Sequence, residues 1–305
     1  MTGKVDPIEI EHRLELERNR IGAEVLDSYP VAEYVGYFDA MSDYGGYGRI
    51  PVQAAEVCKA IEGDLGRNIL ESYHRFVLLS LVGQHPQRSA SGHYPPEILA
   101  CFERHFNDMV SQMEHNPTGF YLHSNDKFSK DFAVCRHKLI PCGAQLVDVR
   151  AGVPRSIAVR QAGIEGLQFF WYMLSRVGGF RPFYEMHMDP RLILEFNVVG
   201  WERCYVRIAR LLKYHPEVIG VVGTSWWNDP KLQDISPRLN YLREIPTTGG
   251  ARFFKVGSSE GAIRNAMVNS RERQQAYESG VYQPTDWVVI WSSKDLIAWA
   301  ERREC

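Results

Sequence analysis

Two neighbouring stretches decide how this chain reads: Phe183-Tyr184-Glu185-Met186-His187-Met188-Asp189, and Val218-Ile219-Gly220-Val221-Val222-Gly223-Thr224. Each is a short run rich in apolar or β-branched residues, too short for a helix and bounded by turn formers, so each reads as a strand. Between them, Gly200 to Tyr214 carries apolar residues at helical spacing and stops at His215-Pro216. Strand, helix, strand in this order implies an α/β arrangement with a mixed or parallel sheet flanked by helices.

Outward from this unit the alternation continues. On the carboxyl side the sequence predicts a helix over 236–244 with Ser236 as N-cap and Pro237 at the first position. A strand over 251–256, a helix over 258–279, a strand over 287–291 and a helix over 294–302 follow. On the amino side it predicts a strand over 119–123, a helix over 127–137, a hairpin of strands 145–150 and 156–160, and an apolar helix over 164–177 closed by Gly178-Gly179. Residues before 118 read differently: helices over 8–28, 52–61, 65–82 and 96–113, separated by a turn-rich segment before Pro51 and an exposed loop over 83–96. The expected organisation is therefore a helical N-terminal region, 1–117, followed by an α/β domain, 118–305.

Composition narrows the class. The 305 residues are 45% hydrophobic and 24% charged, ordinary for a folded globular chain, and 35 basic against 37 acidic side chains leave no basic excess for nucleic acid. The opening MTGKVDPIEIEHRLELERNR lacks the apolar core of a signal peptide, and no run is long and apolar enough for a membrane span. Six scattered cysteines without a CxxC pair read as reduced thiols, so the expected location is cytoplasmic.

Candidate chemistry concentrates between 183 and 244. With period-2 alternation, Glu185, His187 and Asp189 share one face of their strand and Tyr184, Met186 and Met188 the other. Three titratable groups in a row suit an acid–base site, a metal site or a solvated edge. The turn Asn197-Val198-Val199-Gly200-Trp201-Glu202 leads into a helix, where a glycine and free backbone amides favour an anionic ligand. Past the second strand, Ser225, Trp226 and Trp227 stand where ligands collect in open α/β sheets, and Asp189 joins them as a candidate substrate contact. His123, Cys135, His137 and Cys142 are scattered soft ligands without zinc spacing, so no metal is expected from them.

The order of strand, loop, helix, strand and helix with Tyr241 resembles the GNAT superfamily of N-acyltransferases over roughly residues 118 to 260. That family's acyl-donor loop reads Gln/Arg-x-x-Gly-x-Gly/Ala; here Asn197 stands at its first position and Glu202 at its last. The resemblance implies a GNAT-like mixed twisted sheet with an N-terminal helical extension. It implies an acyl donor held by Asn197, Val198, Val199, Gly200 and Trp201, Tyr241 as the acid protonating the leaving thiolate, and Glu185 or His187 as the base. The acceptor would be the amine of a small molecule. Glu202 would repel the pyrophosphate of coenzyme A, so an aminoacyl-tRNA or a carrier-protein thioester stands beside acyl-CoA as donor; nucleic acid is otherwise not an expected partner. Two other readings stay open: a non-heme iron or zinc enzyme using Glu185, His187 and Asp189, and a non-catalytic ligand-binding protein.

Overall fold

The computed structural model describes residues 5–41, 46–157 and 163–304. They divide into two compact units, Met1–Pro141 and Cys142–Cys305. The division falls later than the 117/118 boundary read from the sequence.

The first unit is built from α1 (Pro7–Ile21), α2 (Ala23–Ser28), α3 (Val31–Asp39), α4 (Val52–Leu65), α5 (Arg67–Gly83), α6 (His85–Gly92), α7 (Pro96–Gln112) and α8 (Asp126–Cys135), with a short strand β1 (Leu139–Pro141) at its end. Helix α5 is its axis: Leu70, Tyr73, Val77, Leu78, Leu79 and Leu81 are all buried, so it is apolar around most of its circumference. Its charged exceptions are paired. Arg75 reaches the buried Glu17 carboxylate of α1 at 2.8 Å. Residues 118–141 belong here because Tyr121, Phe128 and Phe132 enter this core. The expected strand over 119–123 is a series of turns, since the Glu71 carboxylate accepts the Gly119 amide at 2.7 Å and takes it out of any ladder. The expected loop over 83–96 contains α6, with Pro86 in its first turn where a missing N–H does no harm.

The second unit is a mixed sheet flanked by helices. Its strands are β2 (Gln145–Ala151), β3 (Phe183–Met188), β4 (Gly220–Ser225), β5 (Arg252–Gly257) and β6 (Asp286–Ser292), in the spatial order β2-β3-β4-β6-β5. Strand β2 runs antiparallel to β3, and β6 antiparallel to both β4 and β5. Only β3 and β4 are parallel, and they pair at just two positions, Tyr184 with Val221 and Glu185 with Val222. Beyond these the two strands no longer pair with each other.

Helix α9 (Ile164–Tyr172), extended by a π turn to Val177, covers one face of the sheet, where Phe169, Tyr172 and Met173 pack with Phe183, Val222, Val288 and Ile290. On the other face lie α10 (Val198–Tyr214) and α15 (Ser293–Glu304), joined by an edge-on stack: Tyr205 to Trp291 at 5.1 Å and Trp291 to Trp299 at 5.2 Å. Between β4 and β6 come the short α11 (Leu232–Ile235), α12 (Tyr241–Thr248), α13 (Glu260–Met267) and α14 (Arg271–Glu278). The helix expected over 236–244 is displaced: Pro237–Leu239 forms a 3₁₀ turn and α12 starts at Tyr241. The single helix expected over 258–279 breaks at Asn269, which adopts a left-handed conformation (φ 63°), and restarts with Ser270 as N-cap. The second arm of the expected hairpin is not a strand at residues 156–157, and 158–160 lie outside the described residues.

Gly220 begins β4 in a space that admits no side chain. A Cβ there would lie 2.4 Å from the Trp291 carbonyl oxygen, which is backbone and cannot swing aside. Gly220→Ala is therefore expected to destabilise the second unit by about 1–3 kcal/mol, read as a lowered urea midpoint; an unchanged midpoint would mean that β4 and β6 are not packed this closely.

Candidate functional site

The fork between β3 and β4 follows from the sequence of both strands. Gly223 faces Met186 across it, and a Cβ at Gly223 would meet the Met186 Cε at 2.9 Å, so the methionine fills space that a larger residue on β4 would occupy. The fork is lined by Met186 and Met188 from β3, Gly223 and Ser225 from β4, and Trp201 and Tyr205 from α10. Trp227 closes it. The cavity left between these side chains is about 20 Å³, room for about one water molecule.

An aromatic cluster walls the mouth. The Trp201 ring, fully buried, meets Phe196 at 5.2 Å, Tyr241 at 6.2 Å and Trp227 at 6.4 Å, each edge to face or nearly so. Tyr241, the first residue of α12, is half-buried, and burial pushes its phenol above the usual tyrosine range, so it keeps its proton at neutral pH. The adjacent tryptophans part company: Trp227 turns to the fork, while Trp226 lies under the Arg273 guanidinium, 4.9 Å from the ring centre. Arg273 is itself buried and held by the Ala266 and Val268 carbonyls, so Trp226 is tied to the α13–α14 junction. Ser225 Oγ accepts the Trp227 amide at 3.4 Å and so starts the turn that aims Trp227.

Strand alternation sends Glu185 and His187 to the face opposite Met186 and Met188. On β2 their cross-strand neighbours are Asp148 and Leu146, and Asp148 is buried. Glu185 and His187 are both partly exposed. Asp189 lies past the end of β3 and does another job. Its carboxylate caps the 3₁₀ turn Pro190–Glu195 through the Arg191 amide and takes the Arg191 guanidinium at 2.6 Å. The three residues do not form a metal triad: among the described residues the group of three metal-ligating side chains whose donor atoms approach within 4.8 Å is a different one, Cys58, His74 and His123.

The turn into α10 is an N-cap. Asn197 Oδ1 accepts the Gly200 amide at 2.9 Å, and the Asn197 carbonyl accepts the Trp201 amide at 2.9 Å. Gly200 is needed by the chain itself: a Cβ would lie 2.2 Å from the Glu195 carbonyl oxygen. The amides of Val198 and Val199 are those the cap does not use, and both valine side chains are exposed. Glu202, which faces the same helix end, directs its carboxylate to Arg303 of α15 at 3.3 Å. The structure thus brings Trp201, Ser225, Trp227 and Tyr241 together at the fork and sets Glu185 and His187 on its far side. Arg273, Tyr205 and Phe196 were not singled out by the sequence reading; an arginine in a polar helix and aromatic residues at core spacing carry no local signal of a site.

No family model matches this chain, and no curated protein matches it. Among solved structures it is similar to an acyltransferase in complex with CoA and 10C-teicoplanin, at 13% identity over 92% of this chain and 85% of that one, with a TM-score of 0.48. It is also similar to an acyltransferase mutant in complex with octanoyl-CoA (13% identity, 95% of this chain, 89% of that one, TM-score 0.47) and to an acyltransferase in complex with decanoyl-CoA (12% identity, 92% and 86%, TM-score 0.44).

Removing the cap should be visible without any ligand. Asn197→Ala is expected to lower stability by about 1 kcal/mol and to speed amide exchange at Gly200, measured by hydrogen exchange; unchanged exchange would show that the cap does not hold the turn.

Proposed function

We propose that the second unit is an acyltransferase with a GNAT-like core, moving an acyl group from a thioester, acyl-CoA in the first place, to the amine of a small molecule. The observation that carries this reading is the fork itself: one parallel strand pair that separates after two residues and opens beside a helix N-terminus with two uncommitted amides. An extended thioester arm fits between strands that have stopped pairing, because the strand edges offer it the backbone groups they no longer give each other. The Val198 and Val199 amides suit a phosphate of the donor, and Glu202 is neutralised by Arg303 in place of facing it.

In this mechanism Glu185 or His187 takes a proton from the acceptor amine on one face of the sheet. The nitrogen attacks the thioester carbonyl carbon in the fork. The tetrahedral oxyanion collapses, the carbon–sulfur bond breaks, and the thiolate takes the Tyr241 proton from the other side. Tyr241 stays protonated at neutral pH, as burial raises its pKa, and is therefore available as the acid. The arm must displace Met186 and Trp227, which fill the fork. Methionine, with its unbranched chain, adapts to this readily.

The direct experiment is release of free thiol from acetyl-, octanoyl- and decanoyl-CoA with a panel of small amines. Turnover is expected with at least one pair. Tyr241→Phe should reduce kcat by about 10²-fold or more with KM little changed, and Glu185→Gln or His187→Gln should reduce kcat while leaving Tm nearly unchanged. No turnover and no thermal shift with any CoA thioester would overturn the reading.

A further inference from the structure

Outside the fork, the first unit gathers Cys58 of α4, His74 of α5 and His123 from the turn before α8 around the hydroxyl of Tyr34 in α3. Their donor atoms all lie within 4.8 Å of one another. Four separate segments therefore aim soft or borderline donors at one point. The geometry points to a zinc site in the helical unit, with Cys58 Sγ, His74 Nε2 and His123 Nε2 as ligands and the Tyr34 hydroxyl on the fourth side.

Distances favour a tetrahedral ion. Zinc–sulfur bonds of about 2.3 Å and zinc–nitrogen bonds of about 2.0–2.1 Å place neighbouring S and N ligands about 3.5 Å apart. Cys58 Sγ and His74 Nε2 are 3.5 Å apart. Tyr34 Oη lies 3.5 Å from Cys58 Sγ, 3.1 Å from His74 Nε2 and 2.6 Å from His123 Nε2. Of these separations the last departs most from the edge of a zinc tetrahedron and has to widen by about 0.7 Å.

The orientation of His74 is that of a ligand. Its Nδ1 donates to the Tyr121 carbonyl at 2.6 Å, which puts the ring proton there and turns the bare Nε2 lone pair to the cluster. The surroundings exclude water and leave an approach: Tyr34 and His74 are fully buried, Cys58 and His123 only partly, and the rings of Phe38, Phe128 and Phe132 stand within 5.4 Å of the His123 ring. Zinc here would tie α3, α4, α5 and the turn before α8 into one body. No step of the acyl transfer uses these residues, so the two readings stand or fall separately.

The test measures zinc in the full-length purified chain by elemental analysis after exhaustive dialysis. About one zinc per chain is expected, with under about a tenth remaining in Cys58→Ser and full content in a Cys101→Ser control. After chelation, re-added zinc should raise Tm by about 5 °C or more in the natural chain. Cobalt(II) in its place should give thiolate-to-metal charge-transfer absorption, which survives as a readout even where Cys58→Ser folds poorly. Zinc should also slow alkylation of Cys58, located by peptide mass. A metal-free chain that shows no Tm change with zinc and no cobalt charge-transfer band would overturn the site and leave a hydrogen-bonded Tyr34–His74–His123–Cys58 network; so would equal zinc content in Cys58→Ser.

Discussion

Two backbone pairs hold β3 beside β4, Tyr184 with Val221 and Glu185 with Val222, and what the second unit can do depends on their ending there. Each strand is secured on its outer side, β3 by β2 and β4 by six consecutive partners on β6, so neither is free to drift back and close the gap. Backbone amides and carbonyls cannot be left buried without partners at a cost below about 1–3 kcal/mol each. A fork is therefore an expensive feature unless something polar enters it. Its present contents, Met186, Met188 and Trp227, exclude bulk water, but thioethers and an indole satisfy few hydrogen bonds. Methionine side chains are well suited to make way.

Rigidity behind the fork comes from aromatic packing. Tyr205, Trp291 and Trp299 stack edge to face under α10 and α15, and the Trp291 indole N–H is bonded to the Gly249 carbonyl at 2.9 Å. Large rings buried at fixed angles resist displacement, because an interior packed like a crystal has no slack to absorb it. The side of the fork that must move carries Met186 and Trp227, and the floor that must not carries Tyr205, Trp291 and Trp299. This division places adaptation at the mouth and stiffness at the floor.

The sequence disclosed the order of strands and helices because period-2 and period-3.6 patterns are local. It placed Glu185 and His187 on one face correctly in register, since alternation alone decides that. The strand ends at Met188, one residue before Asp189, because its end is set by the next turn, here the Arg191 pairing, which no spacing announces. Residues 236–244 read as one helix because Ser236-Pro237 is a good start signal, whereas the chain makes a 3₁₀ turn first and carries Pro246 inside α12. Gly200 reads as a ligand-binding glycine, and its close approach to the Glu195 carbonyl is visible only in three dimensions. The Cys58, His74 and His123 cluster was hidden for the same reason: its members stand 16 and 49 residues apart, with no motif joining them. Sequence reading set His123 among scattered soft ligands without zinc spacing, and the helical packing is what brings it beside Cys58 and His74.

Hydrogen exchange measured with and without a saturating acyl-CoA tests the fork most directly. If the donor lies between β3 and β4, slowed exchange is expected in two segments at once: the first turn of α10, at Val198 and Val199, and the end of β4, at Gly223 to Ser225. Protection confined to some other surface, or none at all, would contradict it.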